Sequence, residues 1–424
     1  MYIKKVTLKH IRCFENLTLD FSSDGDIDKL AIIAGDNGAG KTTLVRCIAL
    51  GLCDQDNATA LLRDLGSELI CRDHLEANIN IELMDGKKIR EIKITFGKNP
   101  YGVETISNYE PKKNKQFPWK KLFVCGYGAN RGIGGSDEPA EQYQVSDAVY
   151  TLINYDWPLL DAEKQFWRIV AGDERIKGDT KIANKEKREK LVCNILRQIL
   201  ELQKKDSVAL TNKGIRLKIG NAPDLPISAC ADGYEATITW LLDLLGRFHQ
   251  ANLSQDSKIP KAFPINIQEF TDQLKGIVII DEIEQHLHPK WQKGIISQLA
   301  KQFPNIQFIG TTHSPLVLSS SEKCKVFALK NGQKIDQQPY GWLAEDVYSL
   351  MGVNDSRSKQ FTAEVLAKYE KLLNKQIDGK ATKSDLLKIQ ELRKKLASLP
   401  ERDPVSLTME IKSITNSLNK PRNK

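Results

Sequence analysis

A glycine-rich segment followed by a lysine and two threonines carries the clearest chemistry in this sequence. Residues 35–43 read GDNGAGKTT. Glycines let backbone N–H groups turn inward around phosphate groups, and a helix that follows points its positive end at them. The spacing predicts a P-loop in which Lys41 reaches the β- and γ-phosphates of ATP and the Thr42 hydroxyl ligates Mg²⁺. The remaining predicted contacts with the nucleotide are Gly35, Asn37, Gly38, Gly40 and Thr43.

Two carboxylates, Asp281 and Glu282, follow the apolar run 277–280. At the tip of a strand, Asp281 is placed to hold the magnesium shell, and Glu282 to polarise the attacking water. An acidic pair after four apolar residues is common by itself. Downstream of a P-loop, it predicts an enzyme that is competent for hydrolysis.

A histidine lies about thirty residues further on, in the segment GTTHSP that ends another apolar run. His313 is placed to contact the γ-phosphate and to sense its loss. A lone histidine at a strand end is usually structural. The order of P-loop, acidic pair and histidine favours the functional interpretation.

Buried strands must position these residues. Residues 30–35, LAIIAG, form a short continuous apolar run, which is typical of a strand buried on both faces of a sheet. The runs 275–284 and 305–314 and the segment 121–128 show the same pattern. An amphipathic helical stretch separates the first two of these runs.

Alternating and helical patterns account for the other elements. Residues 2–9 and 16–21 alternate as two strands of a hairpin, and so do residues 77–83 and 89–97. Helical spacing of apolar residues marks residues 185–205, with Leu191, Ile195, Ile199 and Leu202 on one face. Two further helical stretches, 361–377 and 383–397, predict a helical hairpin.

Composition limits the class of protein. The 424 residues are 41% hydrophobic and 27% charged, and we expect neither a membrane span nor a signal peptide. Eight scattered cysteines without a Cys-x-x-Cys pair favour buried, reduced thiols and a cytoplasmic location. The net charge is +8, and residues 359–424 hold 15 Lys or Arg against 8 Asp or Glu. Three interpretations of this basic tail stay open: it binds nucleic acid, it binds an acidic partner, or it forms a helical face that is only solvated.

The run from residue 278 to 318, VIIDEIEQHLHPKWQKGIISQLAKQFPNIQFIGTTHSPLVL, resembles the ABC-type ATPases of the SMC-like and OLD-like branch. The resemblance implies an ATPase head that binds ATP and Mg²⁺ and whose sites are completed in a homodimer or higher oligomer. It also implies that residues 284–289 form the D-loop at the dimer interface. His286 and His288 are therefore interpreted as interface groups rather than metal ligands.

The family's signature, Leu-Ser-x-Gly, is where this sequence departs from the pattern. The best candidate is residues 230–234, CADGY, which retain Gly233 but place Ala231 at the serine position. Ser228 lies two or three residues too early for that position unless the loop is shifted. Engagement across the dimer is then weakened, and hydrolysis is expected to be slow or conditional. The Q-loop is also indistinct: Arg131 is a candidate phosphate or interface group, and glutamines follow only at Gln142 and Gln144.

The resulting prediction is an α/β fold: an ABC-type head with a mixed central sheet, an antiparallel β lobe, a helical insertion and a C-terminal helical hairpin. Its predicted parts are an N-terminal lobe with the P-loop (1–150), a helical insertion (151–222), a C-terminal lobe with the signature-like loop, acidic strand and histidine (223–340), and a basic helical region (341–424).

Nothing in the sequence supplies an effector. OLD-like relatives append a nuclease domain with an Asp-x-Asp cluster, which is missing from the 109 residues after Pro315. The segment 341–357 resembles the ATPase subunits of Septu-type two-gene phage-defence modules, also found with some retrons. That resemblance implies regulation of a separate HNH-type nuclease subunit. The alternative is a repair or recombination ATPase that binds DNA directly through its basic tail.

Overall fold

The apolar core is built around two β-sheets, and the helix Lys41–Gly51 packs against strands of both. The computed structural model describes residues 1–66, 68–112, 117–131, 143–254, 261–320, 322–330, 332–335, 339–342, 346–347, 367–377 and 379–396. The chain divides into two compact units, Met1–Val353 and Asn354–Lys424.

The first unit contains all the described strands. They are β1 (Tyr2–Ile11), β2 (Phe14–Asp20), β3 (Ser22–Ser23), β4 (Asp26–Ile27), β5 (Leu30–Gly35), β6 (Glu76–Asp85), β7 (Lys88–Lys98), β8 (Glu104–Glu110), β9 (Val124–Tyr127), β10 (Ser207–Thr211), β11 (Gly214–Lys218), β12 (Leu225–Pro226), β13 (Gly276–Ile280), β14 (Ile306–Thr312), β15 (Lys325–Lys330) and β16 (Gln333–Ile335).

Its described helices alternate with these strands. They are α1 (Lys41–Gly51), α2 (Gln55–Leu65), α3 (Val145–Ile153), α4 (Ala162–Ala171), α5 (Ile182–Ile199), α6 (Asp232–Ser254), α7 (Ile267–Gln273), α8 (Pro289–Gln302) and α9 (Pro315–Ser319). None of the helices in the described part of the chain is long and apolar enough to cross a membrane.

The central sheet is mixed, as predicted, with the strand order β16-β15-β5-β14-β13-β9. The pairs from β15 to β9 are parallel, and β16 is antiparallel to β15. Every residue of β5, β13 and β14 is buried, which explains their continuous apolar sequence. Because the three strands are parallel, the P-loop, the acidic pair and His313 leave the sheet at the same edge.

The antiparallel lobe is a second sheet, ordered β2-β1-β6-β7-β8, and its alternating strands confirm both predicted hairpins. One buried side chain fastens it to the central sheet. Gln307, on β14, accepts from the N–H of Ile3 (2.7 Å) and donates to the carbonyl of Ile3 (2.8 Å). Its amide pairs with the β1 backbone much as a strand residue would.

The insertion at 151–222 contains α4 and α5 but also a hairpin, β10–β11, that the helical pattern did not predict. Leu191, Ile195 and Ile199 are buried on one face of α5, as their spacing predicted, whereas Leu202 lies beyond the end of the helix. The alternation in β10 and β11 spans only five residues each, which is too short to stand out beside an 18-residue helix.

The long helix α6 is tied to the central sheet by a buried polar cluster. Asp243 accepts a hydrogen bond from the Tyr127 hydroxyl at the end of β9 (2.9 Å) and pairs with Arg247 (2.8 Å). It also accepts from the N–H of Leu160 (3.0 Å). Both oxygens of the buried Asp243 carboxylate therefore accept hydrogen bonds, which offsets the cost of removing the charge from water.

The second unit contains α10 (Ala367–Ile377) and α11 (Lys383–Leu396), which pack against each other and confirm the predicted helical hairpin. Residues 361–366 of the predicted first helix, most of the 341–357 motif and the basic residues after 396 lie outside the described residues.

Candidate functional site

The loop between β5 and α1 has the geometry of a phosphate cradle. Gly38 and Gly40 adopt φ of +80° and +96°, a conformation that favours glycine. A Cβ at Gly40 would lie 2.4 Å from Cζ of Phe14, so the loop packs tightly on the first hairpin. At Gly38 an added Cβ would meet nothing within 4 Å, which leaves the opposite side open for a ligand. The backbone thus follows the conformation that the P-loop pattern predicted.

Lys41 begins α1 and folds its side chain back over the loop. Its Nζ donates to the carbonyl oxygens of Gly35 (2.8 Å) and Asp36 (3.1 Å). Burial lowers the pKa of Lys41, whereas the nearby carboxylates of Asp281 and Glu282 raise it. The ammonium therefore lies at the mouth of the cradle with weak carbonyl partners that a phosphate can replace.

The carboxylate of Asp281 is held by three hydroxyl groups. Thr42 and Tyr155 donate to Oδ2 at 2.8 and 2.7 Å, and Thr311 donates to Oδ1. Asp281 is buried at the end of β13. Oxygen ligands of this kind suit Mg²⁺, and Thr42 with Asp281 are the residues that would hold it.

Glu282 follows with a strained backbone, at φ +49°. Its N–H donates to Thr311 Oγ1 (2.8 Å). The Nη2 of Arg131 donates to the carbonyl oxygens of Asp281 (3.2 Å) and Glu282. The turn is therefore fixed from two sides, and the charge of the half-buried Glu282 raises the pKa of Lys41 in the cradle.

Arg131 is buried, and burial lowers its pKa to about 10, although Glu284 and Asp281 act in the opposite direction. Its Nε is buried without a hydrogen-bond partner among the described residues. The structure thus places Arg131 under the acidic turn with one spare donor. A contact with phosphate or with a partner subunit stays a prediction.

His313 lies at the end of β14, next to a buried carboxylate that the sequence did not single out. Glu284 accepts from the Thr312 hydroxyl (2.6 Å) and from the N–H of His313 (2.8 Å). The Nδ1 of His313 lies 3.3 Å from the same Glu284 oxygen. The ring itself is about half-exposed.

The signature-like loop lies against the predicted D-loop of the same chain. A Cβ at Gly233 would lie 2.5 Å from the carbonyl oxygen of His286, which explains why only glycine fits there. Ala231, His286 and His288 are exposed. A cavity of about 680 Å³ opens beside them and is lined by Trp291 among others. The two predicted interface segments therefore form one continuous surface.

Of the two glutamines that are Q-loop candidates, Gln144 is among the described residues. Gln142 lies outside them, and Gln144 precedes α3. Tyr155 instead provides the polar group near Asp281, and the guanidinium of Arg46 lies 4.8 Å from its ring centroid. Burial, followed by the charge of Asp281, raises the pKa of Tyr155 to about 12, so the hydroxyl stays protonated and donates.

Replacing Tyr155 with phenylalanine is expected to raise the Mg²⁺ concentration needed for half-maximal nucleotide binding by about two- to tenfold. Losing one hydrogen bond of this kind costs about 0.5–1.5 kcal/mol. Fluorescent ATP-analogue binding across a Mg²⁺ titration would measure the shift. Tyr150→Phe is the matched control because its hydroxyl bonds Asp64 away from the site. Identical Mg²⁺ curves for wild type and Tyr155→Phe would contradict the role.

The four cysteines Cys47, Cys53, Cys125 and Cys324 are buried, and all eight are free. Cys13 departs from the prediction of burial: it is exposed, on the turn between β1 and β2.

A glycine-rich loop that joins a buried strand to a helix, facing an acidic strand tip on a mixed sheet, defines a P-loop nucleotide-binding protein with the architecture of an ABC-type head. The AAA_23 family, described as an AAA domain, matches residues 5–424, and the chain belongs to this family.

Similar proteins include Septu and retron proteins and, among solved structures, SMC head domains. The chain is 24% identical over 322 residues to the Septu protein PtuA of Bacillus mycoides (strain KBAB4), covering 75% of this chain and 39% of the relative. It is 34% identical over 190 residues to the retron Vc95 probable ATPase of Vibrio cholerae serotype O1 biovar El Tor, covering 42% of this chain and 35% of that relative. Among solved structures, the SMC head domain from Thermotoga maritima shows 16% identity and a TM-score of 0.40. The match covers 79% of this chain and 97% of that domain. The chain thus spans less than two fifths of the length of either curated relative.

Proposed function

We propose that this chain binds ATP with Mg²⁺, hydrolyses it in a dimer and thereby controls a separate nuclease in antiphage defence. The observation that carries the ATPase assignment is the hydrogen bond between Thr42 and Asp281, which joins the P-loop to the acidic strand. Residues 239 positions apart in sequence meet there with the geometry that a nucleotide–metal site needs.

Each group of site residues has a different role in phosphoryl transfer. The loop amides and Lys41 bind and orient the phosphates, and Thr42 with Asp281 hold the ion. When bound, Mg²⁺ neutralises charge on the phosphate oxygens. Glu282 accepts the proton of the attacking water, and Thr311 and Arg131 keep its backbone in place for that purpose.

The nucleotide site is physically connected to the proposed dimer surface. Glu284 bonds the backbone of His313, and the Ser314 hydroxyl donates to Gln292 of α8 (2.7 Å). Gln292 in turn donates to the carbonyl of Leu287 in the predicted D-loop (3.0 Å). Movement of His313 on loss of the γ-phosphate is therefore transmitted to residues 284–289, which is what a nucleotide-gated switch requires.

Substituting Ala231 with serine is expected to increase the hydrolysis rate by about two- to tenfold. The added hydroxyl would supply one more hydrogen bond to the γ-phosphate bound by the partner subunit, worth about 0.5–1.5 kcal/mol. Steady-state phosphate release at saturating ATP measures the change. Ser228→Ala, three residues earlier, is the control. A flat rate in Ala231→Ser would show that Ala231 is not at the signature position.

The link to a nuclease follows from the resemblance of residues 341–357 to the ATPase subunits of Septu-type modules, and the relatives of this chain include a Septu protein PtuA and a retron Vc95 probable ATPase. In this proposal a cytoplasmic homodimer or higher oligomer binds an HNH-type nuclease subunit encoded beside it. Co-purification of the tagged chain with the products of adjacent genes tests the partner. Recovery of the chain without any nuclease, from cells that express those genes, would contradict it.

Direct DNA binding is the second candidate, and the charge of residues 359–424 favours it. DNA affinity should then fall steeply with salt, because basic residues release counterions from phosphates. Truncation at about residue 358 should abolish binding. DNA binding that survives truncation, or that salt does not weaken, would exclude the tail as a DNA-binding element.

A further inference from the structure

Two histidines and a glutamate converge beside the first hairpin, apart from the carboxylates of the nucleotide site. His10 lies near the end of β1, Glu15 near the start of β2, and His74 in the turn before β6. The Nε2 atoms of His10 and His74 lie 3.6 and 3.1 Å from the same oxygen, Oε1, of Glu15. One ligand atom from each residue lies within 4.8 Å of the other two.

The two imidazole rings stack on each other, with both Nε2 atoms near one carboxylate oxygen. Their centroids are 3.7 Å apart and their planes differ by 9°. Parallel rings whose Nε2 edges reach the same carboxylate oxygen present their nitrogens side by side. Tetrahedral coordination with metal–nitrogen bonds of about 2.0–2.1 Å needs two nitrogens about 3.3 Å apart. Because each nitrogen lone pair lies in the plane of its ring, both rings must tilt out of this stacked arrangement toward the ion, by rotation of their partly exposed side chains.

Main-chain hydrogen bonds hold the contributing segments together without any ion. The N–H of Cys71 donates to the carbonyl of His10 (2.9 Å), and the N–H of His74 donates to the carbonyl of Cys71 (3.0 Å). A further bond joins the N–H of Arg12 to the carbonyl of Leu69 (2.8 Å). The ligand-bearing turns are therefore preorganised, and the partly exposed side chains leave a path for entry.

We propose that His10, Glu15 and His74 bind one divalent transition-metal ion of the Zn²⁺ type, with water completing the coordination. Imidazole nitrogens favour zinc, copper, iron and nickel over magnesium and calcium, which prefer oxygen ligands. The site is therefore chemically distinct from the oxygen-lined Mg²⁺ site at Thr42 and Asp281, and it does not depend on the ATPase assignment.

The bound ion braces the hairpin that forms one wall of the phosphate loop. A Cβ at Gly40 would lie 2.6 Å from Sγ of Cys13, and Nη1 of Arg12 lies 3.4 Å from Oγ1 of Thr43. Both Arg12 and Cys13 lie between the two ligands of the hairpin, His10 and Glu15. The ion would thus fasten this turn to residues 71–74.

Calorimetric titration of the metal-stripped, full-length chain with Zn²⁺, without nucleotide, tests the site. Wild type is expected to bind one ion per chain at these ligands, and His74→Ala to weaken that binding at least about tenfold, since even outer-shell changes cost about 10- to 100-fold. Zn²⁺ should also raise the melting temperature of wild type but not of the variant, because an ion that binds only the folded state stabilises it.

Controls separate this site from other ligands in the chain. His286→Ala and the pair Cys13→Ser with Cys71→Ser should keep wild-type affinity. If the cysteine pair loses the ion while His74→Ala keeps it, thiols hold the metal and the proposal is wrong. The proposal would also be wrong if millimolar Mg²⁺ competed with Zn²⁺ for this site on equal terms. Should His74→Ala fail to fold, Glu15→Gln at an exposed position gives the second test, with weaker binding expected and unchanged affinity contradicting the site.

Discussion

Replacing Lys41 with alanine is expected to weaken ATP binding by about 30-fold or more. Removing one partner of a buried charge pair costs about 2–5 kcal/mol, and each 1.4 kcal/mol is about tenfold in affinity. Among the described residues, the Lys41 ammonium bonds the carbonyls of Gly35 and Asp36, so the phosphates would be its first anionic partners on the loop. Calorimetry with ATP at fixed Mg²⁺ measures the loss.

Lys9→Ala is the matched control for this experiment, because Lys9 is an exposed lysine of β1. It should bind ATP as wild type does. Urea unfolding of both variants distinguishes loss of a ligand contact from loss of fold. Wild-type ATP affinity in a folded Lys41→Ala protein would refute the P-loop assignment.

Replacing Glu282 with glutamine is expected to slow ATP hydrolysis by about 10²- to 10⁴-fold while leaving ATP affinity intact. That range is the usual contribution of a general base, and glutamine cannot accept the proton. The backbone contacts of this position, from Thr311 and Arg131, do not involve the side chain and should persist. Single-turnover hydrolysis, together with nucleotide-binding calorimetry, separates the two quantities.

ATP-trapped dimers should accumulate in Glu282→Gln, which light scattering with and without ATP would detect. Glu186→Gln, on the exposed face of α5, serves as the control and should turn over normally. Unchanged turnover in Glu282→Gln would remove this residue from the mechanism. Loss of ATP binding in the same variant would indicate damage to the site rather than loss of a base.

The elements that carry the nucleotide site could be predicted from sequence because each has a local signature. The all-buried strands β5 and β13 leave continuous apolar runs, and the P-loop glycines leave a spaced pattern. Because these strands belong to one parallel sheet, their carboxyl ends lie at the same edge, and no other pattern is needed to predict this. The placement of Thr42 against Asp281 follows from these local rules.

Contacts that depend on packing between distant segments could not be predicted in this way. Tyr155 reaches Asp281 from 126 residues away, and its own surroundings in sequence carry no spacing pattern. Glu284 was placed in the D-loop, but its bonds to Thr312 and His313 depend on how two buried strands align. The close approach of Gly233 to His286 is also set by helix position rather than by local sequence.

The amide of Gln307 has a consequence for how the two sheets separate in solution. The N–H of Ile3 is bonded to a side chain of the central sheet. Its hydrogen exchange with solvent should therefore be as slow as that of β14, although Ile3 belongs to the outer lobe. Deuterium would then enter both segments in the same opening event, so that the lobe and the nucleotide-binding sheet behave as one cooperative foldon. Early labelling of Ile3 alone would show instead that the lobe opens independently.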